Sequence, residues 1–307
     1  MNLGSGVRIR MAIVLALAGA LPSFASVAGT FDRSYQVTGP VDLEVLSRSG
    51  DITIRSGAAG TVSIHGKIQV GTSWLFSDRK ADVQQIENNP PIRQSGNNIR
   101  IDYININNVS IDYEVTVPEN TAVRAHTGSG NQNVEGLRGN VDLESGSGDM
   151  RLARLTGEMR FQTGSGDVRG HDLSGPTRAK AGSGDIEIEE TGQGDVEIRT
   201  GSGNITVKGI QGGFHAEAGS GDIRGQGMPK NLWSVRTGSG NVHLQVPSEA
   251  GFDVDVSSSS GRVTLNHPVE TTVQGRVPEW HKSVIGKVRG GGPTISVHTG
   301  SGDIEVD

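Results

Sequence analysis

The sequence GSGDMRLARLTGEMRFQTGSGD, from Gly146 to Asp167, contains two copies of a Gly-Ser-Gly-Asp motif 18 residues apart. They belong to a series of Gly-Ser-Gly-Asp and Gly-Ser-Gly-Asn motifs with successive spacings of 18, 18, 18, 19, 18 and 19 residues. A fixed period of this length indicates a repeat architecture, in which each unit packs mainly against its two neighbours. The motif therefore predicts a fold of stacked repeats.

Each repeat contains two short segments in which apolar and polar residues alternate. Ile186 and Ile188 follow one motif, and Val196 and Ile198 follow the glycine at mid-period, Gly194. Such alternation is typical of strands that bury one face. Two short strands in about 18 residues are too few for an independent sheet, but they suffice for one rung of a coil of stacked repeats. The sequence predicts an all-β parallel β-solenoid with two-strand rungs of about 18 residues and irregular N-terminal rungs.

The last residue of each motif is predicted to have a structural role. Asp and Asn accept hydrogen bonds from turn N–H groups, and glycine permits positive φ angles and close approach of backbones. Stacked rungs would place these side chains in a ladder with a spacing of about 4.8 Å. The predicted turn ladder consists of Asn131, Asp149, Asp167, Asp185, Asn204, Asp222, Asn241 and Asp303.

The two ends of the repeat array are less regular. Residues 29–126 carry the alternation in a looser form and are predicted to be an irregular, capping half of the solenoid. Residues 127–307 form the regular part, interrupted by an insertion at 267–291. The last motif is followed by Ile304–Asp307, which would end the solenoid as an uncovered edge. Open strand edges invite pairing, so self-association through this C-terminal rung is one expectation.

The first residues are typical of a secretory signal peptide. Arg8 and Arg10 precede an apolar stretch from Met11 to Leu21, and small residues allow cleavage after Ala25 or Ala28. Residues 1–28 are therefore predicted to be a signal peptide. No later stretch is long and apolar enough to cross a membrane, and the chain contains no cysteine. We expect an exported protein, located in the periplasm, on the outer surface or in the medium.

Composition and motif order limit the chemistry. The net charge of −6 argues against nucleic acid as a partner, because no basic stripe is present to neutralise phosphates. Calcium is an alternative, since β-rolls that bind it also have Gly- and Asp-rich repeats. Their motif, Gly-Gly-x-Gly-x-Asp, differs from the one found here, so turn capping without a metal is the preferred interpretation. The calcium ligands would be Asp149, Asp167, Asp185, Asp195 and Asp222.

Candidate contact residues lie where the repeat fails. The outward positions of the regular rungs are mixed and charged, as on an ordinary solvated surface. Exposed aromatic residues in the irregular segments would be contact points for a ligand. These candidates are Trp74, Phe76, Trp280 and His281. The competing interpretation is that they cover the ends of the solenoid.

The repeat resembles a bacterial family of β-strand-repeat proteins known as putative adhesins, a domain of unknown function. The resemblance rests on Ser49-Gly50-Asp51-Ile52, the strand ending at Pro118, the 18-residue units and the final Gly-Ser-Gly-Asp-Ile. It implies a parallel β-solenoid on an exported protein and carries no defined ligand. Our leading hypothesis is a non-enzymatic envelope or secreted protein that binds an envelope component or glycan, without a cofactor. A periplasmic scaffold is an alternative. An enzyme acting on polysaccharide is another, because aspartates on adjacent rungs would lie near the ~5 Å separation of a retaining carboxylate pair.

Overall fold

The computed structural model describes residues 26–71, 79–271 and 283–307, which form 27 strands and one helix. The first elements are β1 (Ser26–Gln36), β2 (Val41–Ser49), β3 (Ile52–Gly57), β4 (Thr61–Val70), α1 (Lys80–Asn88), β5 (Ile92–Ser95), β6 (Asn98–Ile101), β7 (Val109–Pro118), β8 (Thr121–Ser129) and β9 (Gln132–Glu135). The regular repeats contain β10 (Val141–Ser145), β11 (Met150–Thr156), β12 (Met159–Thr163), β13 (Val168–Ser174), β14 (Thr177–Ala181), β15 (Ile186–Glu190), β16 (Val196–Thr200), β17 (Ile205–Ile210), β18 (Phe214–Ser220), β19 (Ile223–Gly227), β20 (Trp233–Ser239) and β21 (Val242–Gln245). The last strands are β22 (Phe252–Ser258), β23 (Val263–Leu265), β24 (Val269–Thr271), β25 (Ser283–Val288), β26 (Thr294–Ser301) and β27 (Ile304–Val306).

The strands form two long sheets, called sheet A and sheet B, of 13 and 14 strands. Each regular repeat contributes one strand to sheet B and the next strand to sheet A, and equivalent strands of successive repeats pair in parallel. The register follows the repeat, so that Leu143 pairs with Phe161 and Phe161 with Ala179. One repeat is therefore one rung, and the predicted parallel β-solenoid is confirmed.

The core lies between the two sheets and follows from the alternation within each strand. Leu143 and Trp233 are both 0% exposed, and Phe161, Phe214 and Phe252 are also fully buried. The indole N–H of Trp233 donates to the carbonyl oxygen of Gly212 at 3.0 Å, so even this largest side chain leaves no polar atom unpaired. Because the alternate residues point to solvent, the charged side chains of the regular rungs lie on the outer faces of sheets A and B, with the exception of Glu190 on β15.

The N-terminal rungs are stacked out of chain order. The rung formed by β2 and β3 pairs with β8 and β9 of the first regular repeat. Strands β6 and β7, which come later in the chain, pair with the opposite edges of β2 and β3. Beyond them, β4 and β1 extend sheet A and β5 extends sheet B, all in antiparallel pairing.

The C-terminal rung is also out of chain order, and the prediction that it forms an uncovered edge is wrong. β26 lies between β20 and β22, and β27 lies between β21 and β23. The last motif stacks directly on the regular array because its Gly-Ser-Gly-Asp turn matches the turn of the rung before it. The segment that contains β22 and β23 is displaced to the outside, where β25 pairs with β22 and β24 with β25. Self-association through an open C-terminal rung thus loses its structural basis.

Candidate functional site

The four predicted contact residues fall on segments that the structure does not describe. Trp74 and Phe76 belong to residues 72–78, and Trp280 and His281 belong to residues 272–282. They lie outside the described residues, so their role in binding stays a prediction.

The Asp and Asn residues of the turns form a continuous line of hydrogen bonds between rungs. In each case the side-chain Oδ1 accepts the backbone N–H of the equivalent residue on the next rung, rather than an N–H of its own turn. Asp149 Oδ1 accepts from Asp167 at 3.1 Å, and Asp167 Oδ1 accepts from Asp185 at 2.9 Å. The line of ten bonds joins Asp112, Asp51, Asn131, Asp149, Asp167, Asp185, Asn204, Asp222, Asn241, Asp303 and Arg262.

The first and last members of this ladder explain the rung order. Asp112, on β7, supplies an acceptor but donates no bond within the ladder, whereas Arg262 donates its backbone N–H to Asp303 Oδ1 at 2.8 Å. Arg262 has no side-chain acceptor with which to continue the line. A rung without Asp or Asn at this position is suited to the outer end of the stack. No further rung follows there whose backbone N–H would need a side-chain acceptor.

The same contacts bear on the calcium alternative. Arg151 donates to Asp149 Oδ2 at 3.1 Å, and Arg169 donates to Asp167 Oδ2 at 2.8 Å. Both oxygens of these carboxylates are therefore engaged by the protein. Asp195 accepts from the N–H of Gly213 at 2.6 Å, and this hydrogen bond holds the pKa of its carboxyl below the ordinary value. The geometry favours structural hydrogen bonding at these positions over calcium coordination.

The glycines of the turns are required by the approach of successive rungs. A Cβ placed on Gly166 would lie 2.0 Å from the carbonyl oxygen of Gly148, and one on Gly184 would lie 1.8 Å from that of Gly166. Neither glycine has a φ in the left-handed region. The predicted close approach is therefore the reason for glycine at these two positions, and the predicted positive φ is not.

A groove crosses the outer face of sheet B near its N-terminal end, over strands β2, β6, β8 and β10. Its volume is about 800 Å³ and it is open to solvent. The hairpin of β5 and β6 forms one side, and Ala122 leaves room in the middle of the floor. The lining includes four carboxylates and four guanidinium groups, on Asp42, Glu44, Asp142, Glu158, Arg93, Arg100, Arg124 and Arg160.

Half of the arginines of this groove are held by ion pairs. Arg100 pairs with Glu44 and Asp102, and Arg93 pairs with Asp102 at 3.3 Å. Arg124 and Arg160 are exposed and take part in none of the ion pairs formed by the described residues. These two guanidinium groups keep their donors available to a ligand.

An exposed aromatic residue, Tyr103, lies beside the groove. It is 44% exposed, and its ring meets that of His126 edge to face with centroids 6.2 Å apart. His126 is two residues from Arg124 on β8, and alternate residues of a strand share a face. This pair could not be predicted from the sequence, because Tyr103 belongs to no repeat and comes close to β8 only through the out-of-order stacking of β6.

A family model matches residues 41–307, which include all strands from β2 to β27 and leave β1 outside the match. This is the model of the Toastrack DUF4097 family. The chain belongs to that family. No curated protein matches the sequence significantly. Among the described residues of this Toastrack chain, no helix combines the length and the apolar character needed to cross a membrane.

Two solved structures are similar to this Toastrack chain. One is a putative adhesin from Bacteroides fragilis, with 13% sequence identity and a TM-score of 0.44, over 91% of this chain and 98% of that one. The other is a putative cell adhesion protein from Clostridium sporogenes, with 12% identity and a TM-score of 0.20, over 91% of this chain and 99% of that one.

One rung of this Toastrack chain has a buried acid in place of an apolar residue. Glu190, at the end of β15, is 5% exposed, and it accepts a hydrogen bond from Thr177 Oγ1 at 2.6 Å. Burial raises the pKa of this carboxyl to about 7. Leu173 pairs in register with Glu190 on the neighbouring rung and is fully buried, so Glu190 is a local exception within the core.

Proposed function

We propose that this chain is an exported, non-enzymatic binding protein that attaches to neutral polysaccharide through the groove on sheet B. The observation that carries the proposal is the balance of the groove, which is lined by four carboxylates and four guanidinium groups around an open volume of about 800 Å³. The signal-like N-terminal sequence supports export. The resemblance to a family known as putative adhesins supports a binding role and leaves the ligand open.

The charge balance favours a ligand that is rich in hydroxyl groups. A sugar hydroxyl both donates and accepts hydrogen bonds, while ionised carboxylates only accept and guanidinium groups only donate. A lining in which carboxylates alternate with guanidinium groups can therefore form hydrogen bonds with sugar hydroxyls in either orientation. A polyanion would meet Asp42 and Asp142 as well as the arginines, and a polycation would meet Arg124 and Arg160.

Tyr103, which is not one of the lining residues, would add an aromatic contact beside the groove. Binding sites for small organic groups combine apolar and aromatic contacts with a few placed polar groups. The exposed ring of Tyr103, braced by His126, supplies such a contact. A polysaccharide chain along the groove would lay one sugar face on this ring and turn its hydroxyls towards Arg124.

The proposal is tested by binding of the purified protein to immobilised neutral and acidic polysaccharides. We expect retention on neutral polysaccharide, and a loss of retention in Arg124→Ala and in Tyr103→Ala. Arg236→Ala is the matched control, since Arg236 is exposed on the outer face of sheet B but lies on β20, outside the groove. Equal binding by all variants, or binding to acidic polysaccharide alone, would refute the proposal.

The non-enzymatic part of the proposal is supported by the state of the ladder carboxylates. Asp149 and Asp167 accept hydrogen bonds on Oδ1 and pair with arginines on Oδ2. Carboxylates used in this way are poorly placed to act as an acid and a nucleophile. Incubation with the retained polysaccharide should release no new reducing ends, and a release that Asp167→Asn abolishes would favour the enzyme alternative.

A further inference from the structure

A histidine and two carboxylates meet on the outer face of sheet A, where the last rung is inserted into the array. His243 on β21 pairs in register with Glu305 on β27, and Leu244 pairs with Val306. Asp307 follows Val306 and therefore lies on the same face as Glu305. One ligand atom from each of the three side chains lies within 4.8 Å of the others. The two strands are 62 residues apart in the chain.

The two carboxylates face different nitrogens of one imidazole. The distance from His243 Nδ1 to Glu305 Oε2 is 3.1 Å, and that from His243 Nε2 to Asp307 Oδ2 is 3.5 Å. Asn266 Nδ2 donates to the other oxygen of Asp307, Oδ1. Asp307 thus has one oxygen fixed by an amide and a second that points towards the imidazole.

We propose that His243, Glu305 and Asp307 bind a divalent transition-metal ion, for which zinc is the probe. Imidazole nitrogen together with carboxylate oxygen is a ligand set of zinc and of neighbouring transition metals, whereas calcium and magnesium prefer oxygen alone. The amide of Asn266 supplies an outer hydrogen bond that orients a metal-binding carboxylate, as is usual around such ions.

The space around the cluster suits an ion with solvent ligands. A cavity of about 500 Å³ adjoins it and is lined by His243 and Glu305 together with Arg224 and Gln245. Bonds of about 2.0–2.1 Å to a tetrahedral ion bring ligand atoms to about 3.4 Å from one another. A metal ion binds only one imidazole nitrogen, so binding requires the partly exposed side chains to rotate until both carboxylates reach the same nitrogen of His243. Three protein ligands leave one position for water.

The surface histidines elsewhere provide a contrast. His126 pairs with Glu144 at 3.3 Å, and His215 pairs with Glu217 at 3.3 Å, each with one carboxylate. Over residues 26–71, 79–271 and 283–307, the group at His243 is the only one in which three such side chains come together. It exists only because β27 lies beside β21, so a bound ion would fasten the inserted rung to its neighbour.

The proposal is tested by titrating the metal-free protein with zinc in a calorimeter and by following thermal unfolding with zinc and with a chelator. We expect one zinc per chain and a higher unfolding midpoint with zinc, because an ion that binds only the folded form stabilises it. His243→Ala and Asp307→Asn should each weaken zinc binding by about tenfold or more, and Asn266→Ala should weaken it by about tenfold. His215→Ala is the matched control and should leave binding unchanged.

Two further measurements keep the test independent of folding. The unfolding midpoint in the presence of a chelator shows whether each variant is as stable as the parent without metal. The visible absorption spectrum of bound Co²⁺ depends on which side chains coordinate the ion. Loss of the Co²⁺ spectrum in a stably folded His243→Ala protein supports the site. Zinc binding that is equal in His243→Ala and the parent, or the absence of stoichiometric binding by the parent, would overturn it. The sheet B groove plays no part in either result.

Discussion

The side chain of Asn241 accepts a hydrogen bond from the backbone N–H of Asp303 at 2.9 Å, although 62 residues separate them in the chain. This contact joins the turns of the last regular rung and the inserted one, beside the parallel pairing of β20 with β26 and of β21 with β27. It also continues a line of equivalent bonds that runs through every regular rung. The bond therefore forms between neighbouring rungs of the stack, whether or not they are neighbours in the chain.

Loss of this acceptor should weaken the attachment of the inserted rung. We expect Asn241→Ala to lower the free energy of unfolding by about 1 kcal/mol, the usual net worth of one hydrogen bond. Urea unfolding measures it, and hydrogen exchange should quicken in residues 294–307. Arg262→Ala is the control, since Arg262 contributes only its backbone N–H to the ladder. Equal effects of both changes would contradict the role of the side-chain acceptor.

Removal of residues 294–307 should disrupt strands that precede them in the chain. β22 and β23 reach the array only through β26 and β27, so the deletion takes away their parallel partners. We expect limited proteolysis to cut within residues 252–271 of the shortened protein and to spare the rungs from β10 to β19. Protection of residues 252–271 at the parent level would disprove the inserted order.

Alanine at a turn glycine should be poorly tolerated. In Gly166→Ala the new methyl would meet the carbonyl oxygen of Gly148 at 2.0 Å, and we expect a cost of about 1–3 kcal/mol or more from this overpacking. Gly96→Ala serves for comparison, because its methyl would meet nothing within 4 Å and its φ of +61° costs only about 1–2 kcal/mol. Denaturant unfolding of the two variants compares the two costs. A smaller loss in Gly166→Ala than in Gly96→Ala would show that the rungs separate to admit a side chain.

The buried acid Glu190 should make stability depend on pH. Burial raises its pKa from 4.5 to about 7, so the folded protein holds this proton more tightly than the unfolded chain does. The contribution is complete below pH 4.5 and is lost as the pH rises to about 7. The expected loss is about 3 kcal/mol, at about 1.4 kcal/mol for each pH unit.

Glu190→Gln removes this titration and keeps an oxygen that accepts from Thr177. The difference in unfolding free energy between parent and variant, measured from pH 4.5 to 8, should therefore change by the same amount over that interval. Glu189→Gln is the control, because Glu189 is its exposed neighbour on the same strand. A pH-independent difference for Glu190→Gln would contradict the assignment.

The repeat predicted the regular rungs well, because each local signal agrees with the stacked arrangement. Alternation at Ile186 and Ile188 fixes the buried face, and the glycine before Asp185 fixes the corner. The ends could not be predicted in the same way. The place beside β21 could be taken by β23 or by β27, and the alternation of apolar and polar residues is the same in both. Arg262 carried the available signal, since it replaces the acceptor at an equivalent turn.

The candidate site was predictable from the sequence only where it belongs to the regular repeats. Residues Asp149 and Asp167 could be assigned to turns from their spacing alone. The groove could not be foreseen, because Arg124 looks like any outward residue of a rung until β6 and Tyr103 are placed beside it. The cluster at His243 depends on the insertion of β27 and was likewise invisible to a search for nearby histidines.

The direction of the hydrogen bonds in the ladder has a consequence for how such a protein changes in size. Every regular rung offers one acceptor on one side and one backbone N–H on the other, so any such rung satisfies any other. Duplication or deletion of a whole 18-residue unit between Asn131 and Asn241 would leave each remaining unit fully bonded. Both terminal assemblies would stay intact, and the molecule would become longer or shorter by one interchangeable module.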